Sequence, residues 1–340
     1  MSPAQPTSGA TPSGRIDIHT HVVPPTLPRL AERFAGQAWP ELVATGACSA
    51  DLTLGGTFFR TLDDRCWNPE RRIEEMDAEG VALQVVSPIP VTFSYALPAA
   101  GVAELALAQN EWIADLVRRH PSRFAGLGTL PLQDPDVAAL LVVEAVRDLG
   151  LQGLEIGTNV DGRALDDPSL EAVYAACEEV DALLFVHPWQ VLGEDRLGQH
   201  GLLYSVGMPA ETAAAAATLV LGGVLDRHPR LRVVLAHGGG ALLPMLPRIE
   251  RCITMLPGLT PPDRPVRDYL RRFWYDSLVY DAGTLRSLVL AVGADRVMVG
   301  TDYPFPIAER PAGAAVLAAG LDARDVDAVL SGTAEALLRR

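Results

Sequence analysis

The sequence predicts an α/β fold, a TIM-type (β/α)8 barrel. Eight runs rich in Val, Ile, Leu and aromatic residues recur along the chain. Most are near-continuous apolar stretches, the pattern of parallel strands buried on both faces. Helical patterns stand between them, and alternating strands and helices argue for a parallel sheet. A doubly wound open sheet is the alternative, and eight units favour closure.

The first run is RIDIHTH (15–21), in which alternation sends His19 and His21 to one face and Ile16 and Ile18 to the other. Between Val22 and Trp67 the strand–helix alternation stops. Residues 22–67 are too long for an ordinary loop, so they are expected to form an insertion or cap at the C-terminal mouth. NPERRIEEMDAEG (68–80) has Pro near its start and Gly at its end, the asymmetry of a helix. ALQVVSPI (82–89) and FAGLGTL (124–130) follow as strands. DPDVAALLVVEAVRDLG (134–150) opens on Asp-Pro and carries apolar residues at helical spacing. GLEIGT (153–158), the Asp-Pro helix DPSLEAVYAACEEV (167–180) and ALLFVHP (182–188) repeat the unit. PAETAAAAATLVLGGVLDRHP (209–229) reads as one more helix. Its apolar stretch Thr212–Leu225 is shorter than the roughly 18 residues that span a bilayer, so a buried helix is expected. RVVLAHGG (232–239), FWYDSLVY (273–280) and RVMVGTDYP (296–304) complete the eight.

The 340-residue chain carries a formal net charge of −14, which argues against a broad nucleic-acid or anionic-membrane surface. All 28 basic residues are Arg. Without Lys there is no Schiff-base lysine, no P-loop lysine and no carbamylated lysine to bridge two metals. The four cysteines are scattered with no CxxC pair, which fits a reducing cytoplasm. Residues 1–14, rich in Pro, Ser, Thr and Gly, are expected to be a disordered tail, leaving 15–340 for the barrel.

Barrel chemistry collects at the C-terminal strand ends. His19 and His21 end the first run, His187 the fifth, His237 the sixth and Asp302 the eighth. Taken singly, His187 or His237 reads as a core or loop histidine, and Asp302 as a helix N-cap. Together they place four of seven histidines and one acid on one rim. His19, His21, His187 and Asp302 make a donor set for one divalent metal, zinc above others, with a coordination position left open. His237 is then the candidate acid–base, and the three glycines after it are expected to allow close backbone approach and to leave room for substrate. His120 and His228, each before Pro, read as structural residues at helix ends, and His200 as a loop residue.

This constellation resembles the mononuclear branch of the amidohydrolase superfamily. RTLDDRCWNPERRIEEMD, PVTFSY, GLGTLPLQ, FVHPW, VGMPAET, AHGGG and GTDYPFP, in that order, resemble the family of 2-amino-3-carboxymuconate 6-semialdehyde decarboxylases from about Arg15 to the C-terminal helix. The resemblance implies a zinc-dependent, non-oxidative decarboxylase of a small dicarboxylate. It assigns His19, His21, His187 and Asp302 to the metal and His237 to catalysis. It also implies that Arg60 grips a substrate carboxylate, and that Arg248 enters the site of a second subunit in a homodimer. Two positions depart from the family. Gln190 stands where the family often has Asp, and Tyr204 where it has Trp. A hydrolase, a hydratase or an aromatic-acid decarboxylase on the same site is the alternative, since fold and metal do not settle the reaction.

Overall fold

The computed structural model describes residues 14–338. The expected tail, residues 1–14, lies outside them except for Gly14. Eleven strands form two sheets among the described residues. The large sheet holds eight parallel strands in chain order: β1 (Arg15–Val22), β5 (Val81–Pro88), β6 (Phe124–Gly128), β7 (Gly153–Gly157), β8 (Leu183–His187), β9 (Arg232–Leu235), β10 (Phe273–Asp276) and β11 (Val297–Met298). It closes on itself where the chain after β11 meets β1. Ile18 donates to the Val299 carbonyl (2.8 Å), His21 to that of Tyr303 (2.7 Å), and Asp302 to that of His19 (2.9 Å). This is the (β/α)8 barrel, not the open sheet.

Several helices begin at the capping residues their sequences carry. Asn68 caps α1 (Pro69–Glu79) by accepting from the Arg71 amide, and Gly80 ends it in the left-handed region at φ 69°. The long α2 (Ala99–Arg119) follows β5. Asp134 caps α3 (Pro135–Arg147). Asp167 caps a 3-10 turn that leads into α4 (Glu171–Glu179). The helix expected over 209–229 is two, α5 (Met208–Leu221) and α6 (Val224–Arg227), divided at Gly222–Gly223, where Gly223 takes φ 71°. α7 (Leu242–Met255), α8 (Ala282–Val292) and the short α9 (Ala314–Ala318), α10 (Ala323–Asp327) and α11 (Thr333–Leu338) complete the set. No described helix is long and apolar enough to cross a membrane.

Residues 40–63 form the second sheet, the antiparallel β2 (Pro40–Gly46), β3 (Ser49–Leu54) and β4 (Thr57–Asp63). Trp39, Leu52 and Leu62 anchor it against Ile89, Val91, Val102 and Leu105. β4 thereby brings Phe59 and Arg60 to the wall of a cavity at the barrel mouth.

One face assignment needs correction. The pairing of β1 with β5 slips between Asp17 and Thr20. Strict alternation breaks there, as it does at a bulge. Ile16 and Ile18 therefore join the interior cluster with Val85, Phe185 and Met298 instead of the face opposite the histidines. His19, one residue after Ile18, packs its ring 4.9 Å from Phe185.

Candidate metal centre and active site

His19, His21, His187 and Asp302 converge, each offering one donor atom, with all four atoms within 4.8 Å of one another and all four residues buried. His19 Nε2 lies 3.1 Å from His21 Nε2, and His21 Nε2 lies 3.1 Å from Asp302 Oδ1. What each Nδ1 touches explains why these nitrogens can be donors to a cation. His21 Nδ1 faces the Pro88 carbonyl at 3.1 Å, and His187 Nδ1 the Pro188 carbonyl at 3.1 Å. His19 Nδ1 faces the Asp276 carboxylate at 2.6 Å. Carbonyls and carboxylates only accept, so each Nδ1 carries the hydrogen and each Nε2 presents a bare lone pair to the centre. His187 Nε2 is buried with no partner. Burial, then the neighbouring His21 and His19, holds His187 well below the usual imidazole range, so it stays neutral. Three lone pairs and a carboxylate aimed at one point repel one another unless a cation lies between them. The residues fit a divalent metal.

His237 stands beside this set, its ring centroid 5.1 Å from that of His187 and 5.2 Å from that of His19. It sits just after β9 in the left-handed region at φ 56°, a conformation that non-glycine residues seldom adopt. Asp276 holds it there by accepting from the amides of His237 (2.8 Å) and Gly238 (2.7 Å). Unlike the three other histidines, His237 has an Nδ1 that is buried without a partner. No hydrogen bond to Nδ1 among the described residues fixes its tautomer. Burial, then the neighbouring His19, pushes it down to about 4, so the ring is neutral at pH 7. The glycines that follow give the expected close approach, and their space is taken up by the protein itself. A Cβ on Gly240 would fall 2.1 Å from the Pro209 carbonyl oxygen, and one on Gly238 2.4 Å from Val279. They admit the tight packing that seats His237.

Sequence reasoning missed two acids. Asp276 ends β10 and is fully buried. Burial alone would raise its carboxyl, but the His19 hydrogen bond and charge bring it below the usual range. One carboxylate thus orients both His19 and His237. Glu155, in the middle of β7, is also fully buried, with Oε1 3.8 Å from His21 Nδ1 and no hydrogen-bond partner on either oxygen. Burial raises it to about 8. Its signal was an acid inside an apolar strand run.

The centre opens on a cavity of about 630 Å³, walled mainly by apolar residues such as Phe59, Trp189 and Phe305, with His187 and Asp302 at its inner end. Arg60 and Arg65 also line it. Arg65 is paired with Asp63 through Nε (2.8 Å) and Nη2 (2.6 Å). Arg60 forms no ion pair among the described residues. Its guanidinium lies over the rings of Phe59 and Phe305, and it donates to the Tyr204 hydroxyl. His200, read as a loop residue, is on a loop and also lines this cavity. Arg248 is exposed on α7 and is not among the cavity residues of its own chain. His228 pairs with Glu171 (2.9 Å) and Glu178 (3.2 Å), a structural role.

The sequence profile of the amidohydrolase family matches residues 16–340. The 2-amino-3-carboxymuconate-6-semialdehyde decarboxylase of Dictyostelium discoideum is 41% identical over 297 residues, covering 87% of this chain and 83% of that protein. The gamma-resorcylate decarboxylase of Rhizobium radiobacter is 30% identical over 308 residues, covering 86% and 88%. Among solved structures, the 5-carboxyvanillate decarboxylase of Sphingomonas paucimobilis superposes with a TM-score of 0.80 at 25% identity, covering 96% of this chain and 99% of that one.

Proposed function

This chain belongs to the amidohydrolase family, and on that footing we propose that it is a metal-dependent, non-oxidative decarboxylase that converts 2-amino-3-carboxymuconate 6-semialdehyde into 2-aminomuconate 6-semialdehyde and CO2. The observation that favours it is the cavity itself. Two of the converging donors, His187 and Asp302, line it, the neutral His237 ring stands against that of His187, and an arginine with no ion pair among the described residues stands in the wall. A small acid with two carboxylates is the ligand class that uses both.

His19, His21, His187 and Asp302 hold the metal, which we take to be zinc from the three-imidazole set. Bound there, it supplies Lewis-acid polarisation and an acidified water. Arg60 grips one carboxylate, since a guanidinium pairs bidentately with that group. Its grip sets the angle of the bond that breaks. The bond between C3 and its carboxyl carbon cleaves, CO2 leaves, and the electron pair stays on C3. His237, whose Nδ1 no protein group occupies, takes up a proton and delivers it to that carbon. The apolar wall excludes competing water. We place the enzyme in a reducing cytoplasm, where its four free thiols persist.

Arg248 belongs to a partner's site in this reading. It is exposed and does not line its own chain's cavity, and an isologous homodimer would bring each copy's arginine to the other's mouth. Mixing Arg248→Ala with His237→Ala tests this. In the heterodimer one site collects both lesions and the other collects neither. Activity is expected to return to about half of the parent value per heterodimer, read after separating heterodimers by tag; heterodimers that stay inactive would exclude the arrangement.

An aromatic-acid decarboxylase is the second reading, favoured by the ring-lined wall of Phe59, Trp189 and Phe305. Presenting the zinc-loaded protein with the muconate semialdehyde and with gamma-resorcylate separates the two. The first is expected to lose its absorbance with release of CO2, the second to persist; the reverse preference would replace the assignment.

A further inference from the structure

Arg60 and Tyr204 come from distant segments of the chain. Arg60 is on β4 of the small sheet. Tyr204 lies 144 positions later, in a widened π-helical turn, Leu203–Gly207, that leads into α5. Such turns recur at functional sites. Both residues line the same cavity. The Arg60 Nη2 donates to the Tyr204 hydroxyl oxygen at 3.1 Å. The Arg60 Cζ is held 5.0 Å from the centre of the Phe59 ring and 4.8 Å from that of Phe305. The Phe305 ring is in turn 5.3 Å from the His21 ring. One aromatic ring therefore separates the guanidinium from the metal-ligating histidines.

The donor count says what this pairing leaves over. A guanidinium has five N–H donors, and the phenol engages one of them. Because the phenol oxygen accepts that bond, its own O–H is free to donate elsewhere. Tyr204 is 41% exposed, so this O–H is not locked into the protein. A carboxylate placed against Arg60 would meet N–H donors and, at their edge, the Tyr204 O–H. Trp cannot replace this, since an indole N–H donates only and cannot accept from a guanidinium.

We propose that Tyr204 is a specificity-determining residue: with Arg60 it forms a two-part seat for the second carboxylate of the substrate. The seat selects planar dicarboxylates over monocarboxylates. This rests on the dicarboxylate reading given above. It adds that the choice is made by a hydroxyl on the loop after β8, not by the arginine alone.

Binding to the zinc-loaded protein tests the seat without turnover. The probes are phthalate, whose two carboxylates stand on neighbouring sp² carbons as in the proposed substrate, and benzoate, the same ring with one carboxylate. The parent is expected to bind phthalate more tightly than benzoate. Tyr204→Phe, which removes only the hydroxyl, is expected to weaken phthalate roughly 10-fold or more, as the loss of a charge-assisted hydrogen bond does, and benzoate less than about twofold. Tyr204→Trp is expected to match Tyr204→Phe, which separates loss of the acceptor from loss of the ring. Unchanged phthalate affinity in Tyr204→Phe, equal weakening of both probes, or a parent without preference would each overturn the proposal. Its failure is distinct from failure of the decarboxylase reading, which shows as absent turnover of the muconate semialdehyde whatever the two probes do.

Discussion

His237→Asn, loaded with metal, is expected to turn substrate over about 10²–10⁴ times more slowly than the parent, the usual contribution of a general acid–base group. The metal should remain. His237 is not one of the four converging donors, and the side chains of His19, His21 and His187 are pinned by Asp276, Pro88 and Pro188 without its help. Asn tolerates the left-handed backbone that position 237 adopts better than most residues, so the substitution separates loss of the imidazole from backbone strain. The Asp276 bonds to the amides of residues 237 and 238 are also retained. Elemental analysis beside steady-state rates gives the answer. Near-parent turnover in a metal-replete variant would remove His237 from the chemistry.

His187→Ala should behave in the opposite order, losing metal first and activity as a consequence. Its Nε2 is buried and unpartnered, and its only evident use is to complete a donor set. Residues that merely orient a ligand cost 10–100-fold in metal affinity when changed, so removal of a ligand itself is expected to exceed that. The parent should carry one metal per chain after dialysis, since a chain without lysine cannot supply a bridging carbamate. The variant should carry less than about a tenth of that. Dialysis of the parent against a chelator should reproduce the defect, and added zinc should restore the parent but not His187→Ala. A variant that keeps a full equivalent of metal would take His187 out of the ligand set.

The barrel was legible because parallel strands buried on both faces leave unbroken apolar runs, and because Asn-Pro and Asp-Pro mark helix starts. The candidate metal set was legible for a related reason: His187 and Asp302 are polar groups that end such runs. What the sequence hid depends on contacts between distant strands. Asp276 stands in YDSLVY as an ordinary polar residue, and only the fold shows that it accepts from His19 and from the backbone of His237. It also ends β10 four residues before the expected limit, by accepting from the Leu278 amide. The slip in β1 that turns both Ile18 and His19 inward leaves no mark in an alternating pattern. The hairpin between β3 and β4, by contrast, carries a local signal. Gly55–Gly56 between LTL and TFF is a two-residue turn signal. The Arg60–Tyr204 contact spans 144 positions and has no local trace.

In the proposed reaction the metal set, the adjoining His237 and Arg60 in the cavity wall together remove a carboxyl group and return a proton to the same carbon. The most direct test is a product balance in D2O. Zinc-loaded protein is supplied with 2-amino-3-carboxymuconate 6-semialdehyde, with CO2 measured against substrate consumed and the product examined by mass spectrometry and NMR. The expected result is one CO2 per molecule consumed and 2-aminomuconate 6-semialdehyde with one deuterium at the vacated carbon. Consumption without CO2, or a product that gains water and keeps both carboxylates, would contradict it.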